Sequence, residues 1–321
     1  MSKQAKFQRH ETVLSRRSRW VLRLIRWVFR PLMRFMVSGS MRRMAAGQAR
    51  VAGAKYRDPR SLPQDYRILG GPGKSVPSYI LGDIDHTGPV ILWVHGGAFV
   101  LPLMPDAHLR FLNRLCLELG ASAVAPDYRI APLCPYPQGL DDCERAYGAL
   151  LDRGIPASRI ILGGESAGGN LALGLLQRIR RRGWPMPACA VPVAPVTDLS
   201  RIHNPPSRTE NLKRDAMLPM LALTRIVEWY VGELDHSDPE LSPIHADCAG
   251  FPPLLLIASE HEVLRDDSVL FAQVAAEQGV DTRLELWTHL PHAFPLLEHW
   301  FPEAAESRQT ITAFMKEHLD S

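Results

Sequence analysis

Residues 160–173 read IILGGESAGGNLAL: an apolar run gives way to glycines, a serine, and then a helix-like stretch. Within it, GESAG at 164–168 has the form G-x-S-x-G, placed where a strand turns into a helix. That context gives the pattern its chemical meaning. Glycines remove side chains that would collide in the turn and leave Ser166 exposed at its tip, while the following helix aims its first amides, beginning at Ala167, toward the serine. The alternative reading is a glycine-cushioned turn with an ordinary capping serine. A second stretch, HGGAF at 95–99, follows another apolar run and supplies a loop rich in backbone amides. Donors aimed at a developing negative oxygen are worth roughly 2.7–4 kcal/mol each in the transition state. Serine nucleophile chemistry on a carbonyl is the reaction these two pieces suit. His95 reads as a loop histidine anchoring that turn.

Elements must bring such distant pieces together. Strand-like runs fall at 90–95, 122–128, 159–164, 188–194, 253–259 and 283–289, and helix-like stretches at 106–119, 140–153, 167–182, 265–279 and 303–319. Near-continuous apolar strands separated by helices predict an α/β fold with a mostly parallel sheet covered on both faces. Residues 88–105 lack a charged side chain, but Pro89, Pro102, Pro105 and the Gly96-Gly97 pair make this a strand and loop. Residues 199–248 interrupt the rhythm and contain a helical stretch over 218–233, the kind of insertion that builds a cap.

HGGAF, DYRIAPLCPYPQGLDD (127–142), GESAGGN (164–170), LSPIHAD (241–247), EVLRDD (262–267) and PHAF (291–294) occur in the order found in the hormone-sensitive-lipase-like esterases of the α/β-hydrolase fold. The resemblance extends over about 65–318. It implies an α/β-hydrolase domain with a helical cap, hydrolysing short- to medium-chain carboxylic esters through an acyl-enzyme. Carried over by position, Ser166 is the nucleophile, His292 the general base and Glu262 the acid. His289 and Asp266 are the rivals for base and acid. Related sequences usually carry aspartate at the position of Glu262; the longer side chain can serve the same role. They also commonly have a third glycine at Ala98. Alanine still offers an amide, so an oxyanion role survives if its φ is negative; a positive φ there would strain it. The oxyanion hole is thus expected from Gly97, Ala98 and Ala167, with Gly96 making the turn. Glu165, Asp127, Tyr128 and Arg129 read as supporting hydrogen-bonding residues, the last three forming a buried network. No cofactor or metal is implied. The same site could serve a lactone or an acetylated small molecule, or a lipase working at a membrane surface; a non-enzymatic binding protein would normally have lost a triad member.

At 321 residues, with 46% hydrophobic and 22% charged residues, the chain can bury a large core. Cys116, Cys134, Cys143, Cys189 and Cys248 are scattered and nowhere spaced as Cys-x-x-Cys. That pattern suggests neither a disulfide framework nor a zinc site and favours a reducing, cytoplasmic setting. The net charge of +3 conceals an asymmetry: residues 1–60 hold sixteen Lys/Arg against Glu11 and Asp58, a balance of +14, leaving −11 for the remainder. Residues 1–60 are therefore read as a basic amphipathic leader and 61–321 as the hydrolase domain.

Within the leader, Arg19, Arg23, Arg26, Arg30 and Arg34 recur at helical spacing, with Trp20, Leu24, Ile25, Trp27 and Phe35 among the apolar residues filling the opposite arc. Five arginines at roughly 2.5–3.5 kcal/mol each make a membrane span unfavourable, and no signal-peptide core is present. Two roles stay open for 16–37: peripheral contact with an anionic membrane at its inner face, or packing on the body as a lid or homodimer contact. Nucleic acid is a poor match for so wide an apolar arc. Pro31 is expected to kink or end the helix.

Overall fold

The computed structural model describes residues 4–39, 61–71, 73, 75–85, 87–200 and 205–319. The end of the basic leader, 40–60, and residues 201–204 of the predicted insertion lie outside the described residues. A nine-stranded sheet forms the centre. Its strands are β1 (Lys6–His10), β2 (Gln64–Leu69), β3 (Val76–Leu81), β4 (Val90–Val94), β5 (Ser122–Pro126), β6 (Ile160–Glu165), β7 (Cys189–Val193), β8 (Leu254–Ser259) and β9 (Thr282–Trp287). The spatial order is β1-β9-β8-β7-β6-β4-β5-β3-β2. All neighbours from β1 to β5 run parallel, and β3 and β2 close the far edge antiparallel.

The continuous apolar runs are explained by burial on both faces. In β4, Val90, Leu92 and Val94 enter one hydrophobic cluster and Ile91 and Trp93 the other. Leu254, Leu256 and Ala258 of β8 likewise oppose Leu255 and Ile257. Side chains alternate across a strand, so a strand covered on both sides has no polar face.

The helices cover those faces. They are α1 (abutting segments Arg16–Leu24, Ile25–Phe29 and Arg30–Ser38), α2 (Pro105–Leu119), α3 (Gln138–Asp152), α4 (Ala167–Arg181), α5 (Met220–Tyr230), α6 (Arg265–Glu277) and α7 (Ala305–Leu319). The insertion between β7 and β8 contributes a single turn at Ser207–Glu210 and then α5, against which the end of α1 packs. Arg178 of α4 ties this region down through Glu240 (2.8 Å), Asp141 (2.6 Å) and Glu144 (3.0 Å).

Two expectations change at the N-terminus. The charge boundary near residue 60 does not separate residues 6–10 from the body, because β1 pairs with β9 at the sheet edge, Lys6 opposite Arg283 and His10 opposite Trp287. Its pairing rests on the backbone, on Lys6–Asp281 (3.1 Å) and Arg9–Glu260 (2.7 Å), and on His10 stacked at 3.9 Å on Trp287. Pro31 neither ends the helix nor stands at its last turn. Just before it, residues 25–29 form a π segment in which the Arg30 amide donates to the Ile25 carbonyl, widening the turn where proline removes a donor.

Candidate active site

β6 delivers Ser166 and α4 leaves it. Ser166 has φ 56° and ψ −120°, a conformation that costs a non-glycine residue about 1–3 kcal/mol. The surroundings over-determine it. Its amide donates to the Val193 carbonyl at 2.9 Å, and its carbonyl accepts from the Asn170 amide at 3.1 Å. A Cβ on Gly168 would lie 2.0 Å from the Val94 carbonyl oxygen, and one on Gly164 would lie 2.5 Å from that of Gly168. Only glycine fits where β4, β6 and α4 converge.

The loop after β4 approaches this turn. The Gly96 amide donates to Glu165, whose carboxylate also accepts from Trp93 Nε1 (2.6 Å) and meets His108 Nε2 (2.8 Å). Gly96 thus has its donor committed to structure, as a turn-maker. The amides of Gly97, Ala98 and Ala167 have no acceptor among the described residues. Ala98 takes the strained geometry, with φ 56°, followed by Phe99 at 62°. The cause is a reversal so tight that the Val100 and Leu101 amides both donate to the Gly97 carbonyl, at 3.0 and 2.8 Å. His95 is fully buried. Its Nδ1 donates to the Gly96 carbonyl at 2.7 Å, and burial, reinforced by His108, pushes its pKa down to about 3. That histidine stays neutral and braces the loop. Tyr128 stacks on it at 4.2 Å and donates to its carbonyl at 2.7 Å.

Glu262 and His292 meet in the loops following β8 and β9. His292 Nδ1 is hydrogen-bonded to Glu262 Oε2, and the Ser259 amide donates to Oε1 at 2.6 Å. Both side chains are buried. Burial pushes the Glu262 carboxyl up, partly offset by His292. Burial alone would lower His292, but the Glu262 carboxylate outweighs it, aided by Asp215 and Glu165, and the net shift is upward. His292 Nε2 is buried and has no hydrogen-bond partner among the described residues, so no hydrogen bond joins it to Ser166 in this structure. The rivals stand elsewhere. His289 is exposed and packs edge-on against His261 at 4.8 Å, and Asp266 accepts from the Ser207 amide at 2.8 Å and pairs with Arg265.

Other residues hold the site without having been singled out by sequence. Asn211 Nδ2 donates to the carbonyls of Glu260 and Glu262, each at 2.9 Å. Asp215 accepts from the Val263 amide at 2.9 Å and from those of Met217 and Leu218 at 2.7 and 2.9 Å. Both come from the insertion and clamp the loop carrying Glu262. Their spacing of four is the one signal in the sequence, and it carries no chemistry by itself. Of the predicted buried network, Tyr128 is buried, Asp127 accepts from Tyr66 at 2.8 Å, and Arg129 lies at the surface, paired with Asp142 at 2.8 Å. The surface position is a correction: the guanidinium is held by both oxygens of Asp142 and by Gln138 Oε1 (2.9 Å) at the start of α3, outside the core.

Two cavities adjoin these groups. A narrow one of about 50 Å³ reaches Ser166 and Ala98 and is walled by Met33, Phe99, Leu218 and Ile226. A wide one of about 490 Å³ borders Glu262 and His292 and is lined by Arg19, Arg26, Arg214 and His261 among others. Among the described residues, no three His, Cys, Asp or Glu side chains gather as a metal-binding group.

Comparison with known proteins agrees with this fold. The family described as alpha/beta hydrolase fold matches residues 91–296. An acetyl-hydrolase of Streptomyces hygroscopicus is 34% identical over 233 residues, 71% of this chain and 76% of that protein. An esterase of Acinetobacter venetianus is 33% identical over 226 residues, 70% and 74% of the two chains. The solved structure of an esterase from the bacterial hormone-sensitive lipase family superposes with a TM-score of 0.79 at 27% identity, covering 96% of this chain and 100% of that one.

Proposed function

This chain belongs to the α/β-hydrolase fold family, among its hormone-sensitive-lipase-type esterases, and from that premise we propose that it cleaves short- to medium-chain carboxylic esters through an acyl-enzyme on Ser166. The observation carrying the proposal is the Glu262–His292 hydrogen bond beside a strained serine and three unengaged amides.

Glu262 accepts from Nδ1–H of His292, which leaves Nε2 unprotonated and able to accept a proton. As Ser166 Oγ bonds to the ester carbonyl carbon, its proton passes to Nε2. The contact tightens when substrate arrives, as catalytic hydrogen bonds often do. The carbonyl oxygen becomes an oxyanion held by the amides of Gly97, Ala98 and Ala167. Collapse breaks the bond to the alcohol oxygen, which takes the proton from the imidazolium. Water then attacks the acyl-serine by the same route and releases the acid.

The cavity at Ser166 favours the short end of the acyl range, because Met33, Phe99 and Leu218 close it at about 50 Å³. The relative named acetyl-hydrolase supports that preference. Ser166→Ala tests the whole assignment. Hydrolysis of p-nitrophenyl butyrate should fall by about 10⁶-fold, the scale seen when a serine hydrolase loses its nucleophile. Undiminished turnover by that variant counts decisively against it.

A further inference from the structure

α1 has two apolar faces. Ile25 and Met33 point inward and are buried, with Val21, Leu22 and Phe29 packed behind the same core. The opposite face displays Trp20 (70% exposed), Leu24, Trp27 (76%), Val28, Leu32 and Phe35 (71%). Trp20, Leu24, Trp27, Val28 and Leu32, exposed along one helix, form a patch that a monomer in water rarely keeps. A basic band borders it. Arg16, Arg23 and Arg34 are exposed, and the Arg23 guanidinium lies 5.6 Å from the Trp20 ring. Other arginines of the helix fasten it to the body. Arg17 donates to the His299 carbonyl (3.1 Å), Arg26 to that of Arg214 (2.7 Å) and Arg30 to that of Leu212 (2.7 Å).

We propose that this outward face docks on an anionic lipid bilayer, with α1 lying in the interface and the hydrolase body above it. Tryptophans beside arginines are the composition that headgroup depth favours, and the apolar row reaches toward the acyl chains. Charge selects the sign of the surface: no acidic residue occurs between Glu11 and Asp58. A second copy of the chain is the poorer occupant, since pairing α1 with α1 sets arginine bands against one another. No helix among the described residues is long and apolar enough to cross a membrane, so the contact is peripheral.

The arrangement makes lid and anchor one device. Met33, on the inner face, lines the cavity at Ser166. Docking therefore sets the ester pocket about one helix diameter, roughly 10–12 Å, from the lipid surface. The docking claim stands whether or not the hydrolytic mechanism does.

Flotation of the full chain with vesicles of phosphatidylcholine, with and without phosphatidylglycerol, tests the proposal. The chain should float with the anionic vesicles, and high salt should weaken the partitioning. Trp20→Ser with Trp27→Ser should lower it about tenfold or more, while turnover of a soluble ester stays as in the parent, because neither tryptophan lines the cavities at Ser166 and His292. Brominated lipid should also quench tryptophan fluorescence of the unmodified chain, a readout that needs no variant. An unmodified chain that stays with the buffer and is not quenched, or a double variant that floats equally well, overturns the proposal. So does a dimer in light scattering that the double variant dissolves, which would give the face to a second copy.

Discussion

The two cavities flanking the site differ by about tenfold in volume, and of the two only the wide one carries charged side chains. The narrow one at Ser166 is closed by carbon, drawn from α1, the loop after β4 and the insertion. The wide one beside His292 carries Arg19, Arg26 and Arg214 with the edges of His261 and His289. In the proposed mechanism the acyl group stays on the serine while the alcohol leaves past the imidazole that protonates it. The difference assigns selection by size to the acyl side and tolerance of polar, hydrated groups to the alcohol side. The Glu262–His292 pair is buried at the edge of the wide cavity, which gives an outgoing alcohol a path to water.

The largest test of the polar side is Glu262→Gln. The amide can donate to Nδ1 and leave the proton on Nε2, the wrong tautomer for a base, so kcat should fall about 10⁴-fold. The pH profile supplies the sign. His292 acts as base only when neutral, and its pKa lies above the ordinary value, so activity in the parent is lost as pH falls through that raised value. With the carboxylate gone, burial dominates and pulls the pKa down. Residual turnover in Glu262→Gln should then survive to lower pH than in the parent. A profile that does not move separates Glu262 from His292 and breaks the proposed coupling.

The apolar side makes a smaller claim. Met33→Ala should enlarge the cavity at Ser166 and shift preference toward longer acyl chains. Each extra methylene accommodated is worth roughly 1–3 kcal/mol, or 10–200-fold in kcat/KM between neighbouring substrates at most. A p-nitrophenyl ester series from acetate upward reads the change directly. An unchanged optimum would mean that α1 does not bound the acyl site, and the contrast between the two walls would lose its size-selecting half.

What the sequence made legible follows the same division between buried and exposed. β4 to β8 are readable because their largely apolar runs are covered on both faces, and β9, TRLELW, because its apolar residues alternate with polar ones. β1 is not. Its residues KFQRH are mostly exposed and held by backbone pairing and ion pairs, leaving no alternation to detect. β2 also lies at a sheet edge, and the β2–β3 hairpin sits beside Gly70 and Gly73. Ser166 stood out because the elbow needs Gly164 and Gly168, a steric demand written in residue types. The positive φ of Ala98 was invisible because it arises from a turn that alanine tolerates under strain. Asn211 and Asp215 were invisible for another reason: polar residues in an insertion look alike until coordinates show which of them grip the loop carrying Glu262.

The smallest expected effect concerns His289, the histidine that competes by sequence with His292. It shares the wide cavity's wall but is exposed, with φ 64° and the His261 ring edge-on against its own. His289→Asn removes the imidazole and keeps a residue that accepts the left-handed backbone. Surface changes of this kind stay within about 0.5 kcal/mol, so kcat/KM should move by no more than about twofold. A loss rivalling that of Glu262→Gln would transfer the base to His289 and require the wide cavity to hold the reacting carbonyl. The buried Glu262–His292 pair would then be reduced to a structural tie, an outcome its position at the end of two adjacent strands opposes.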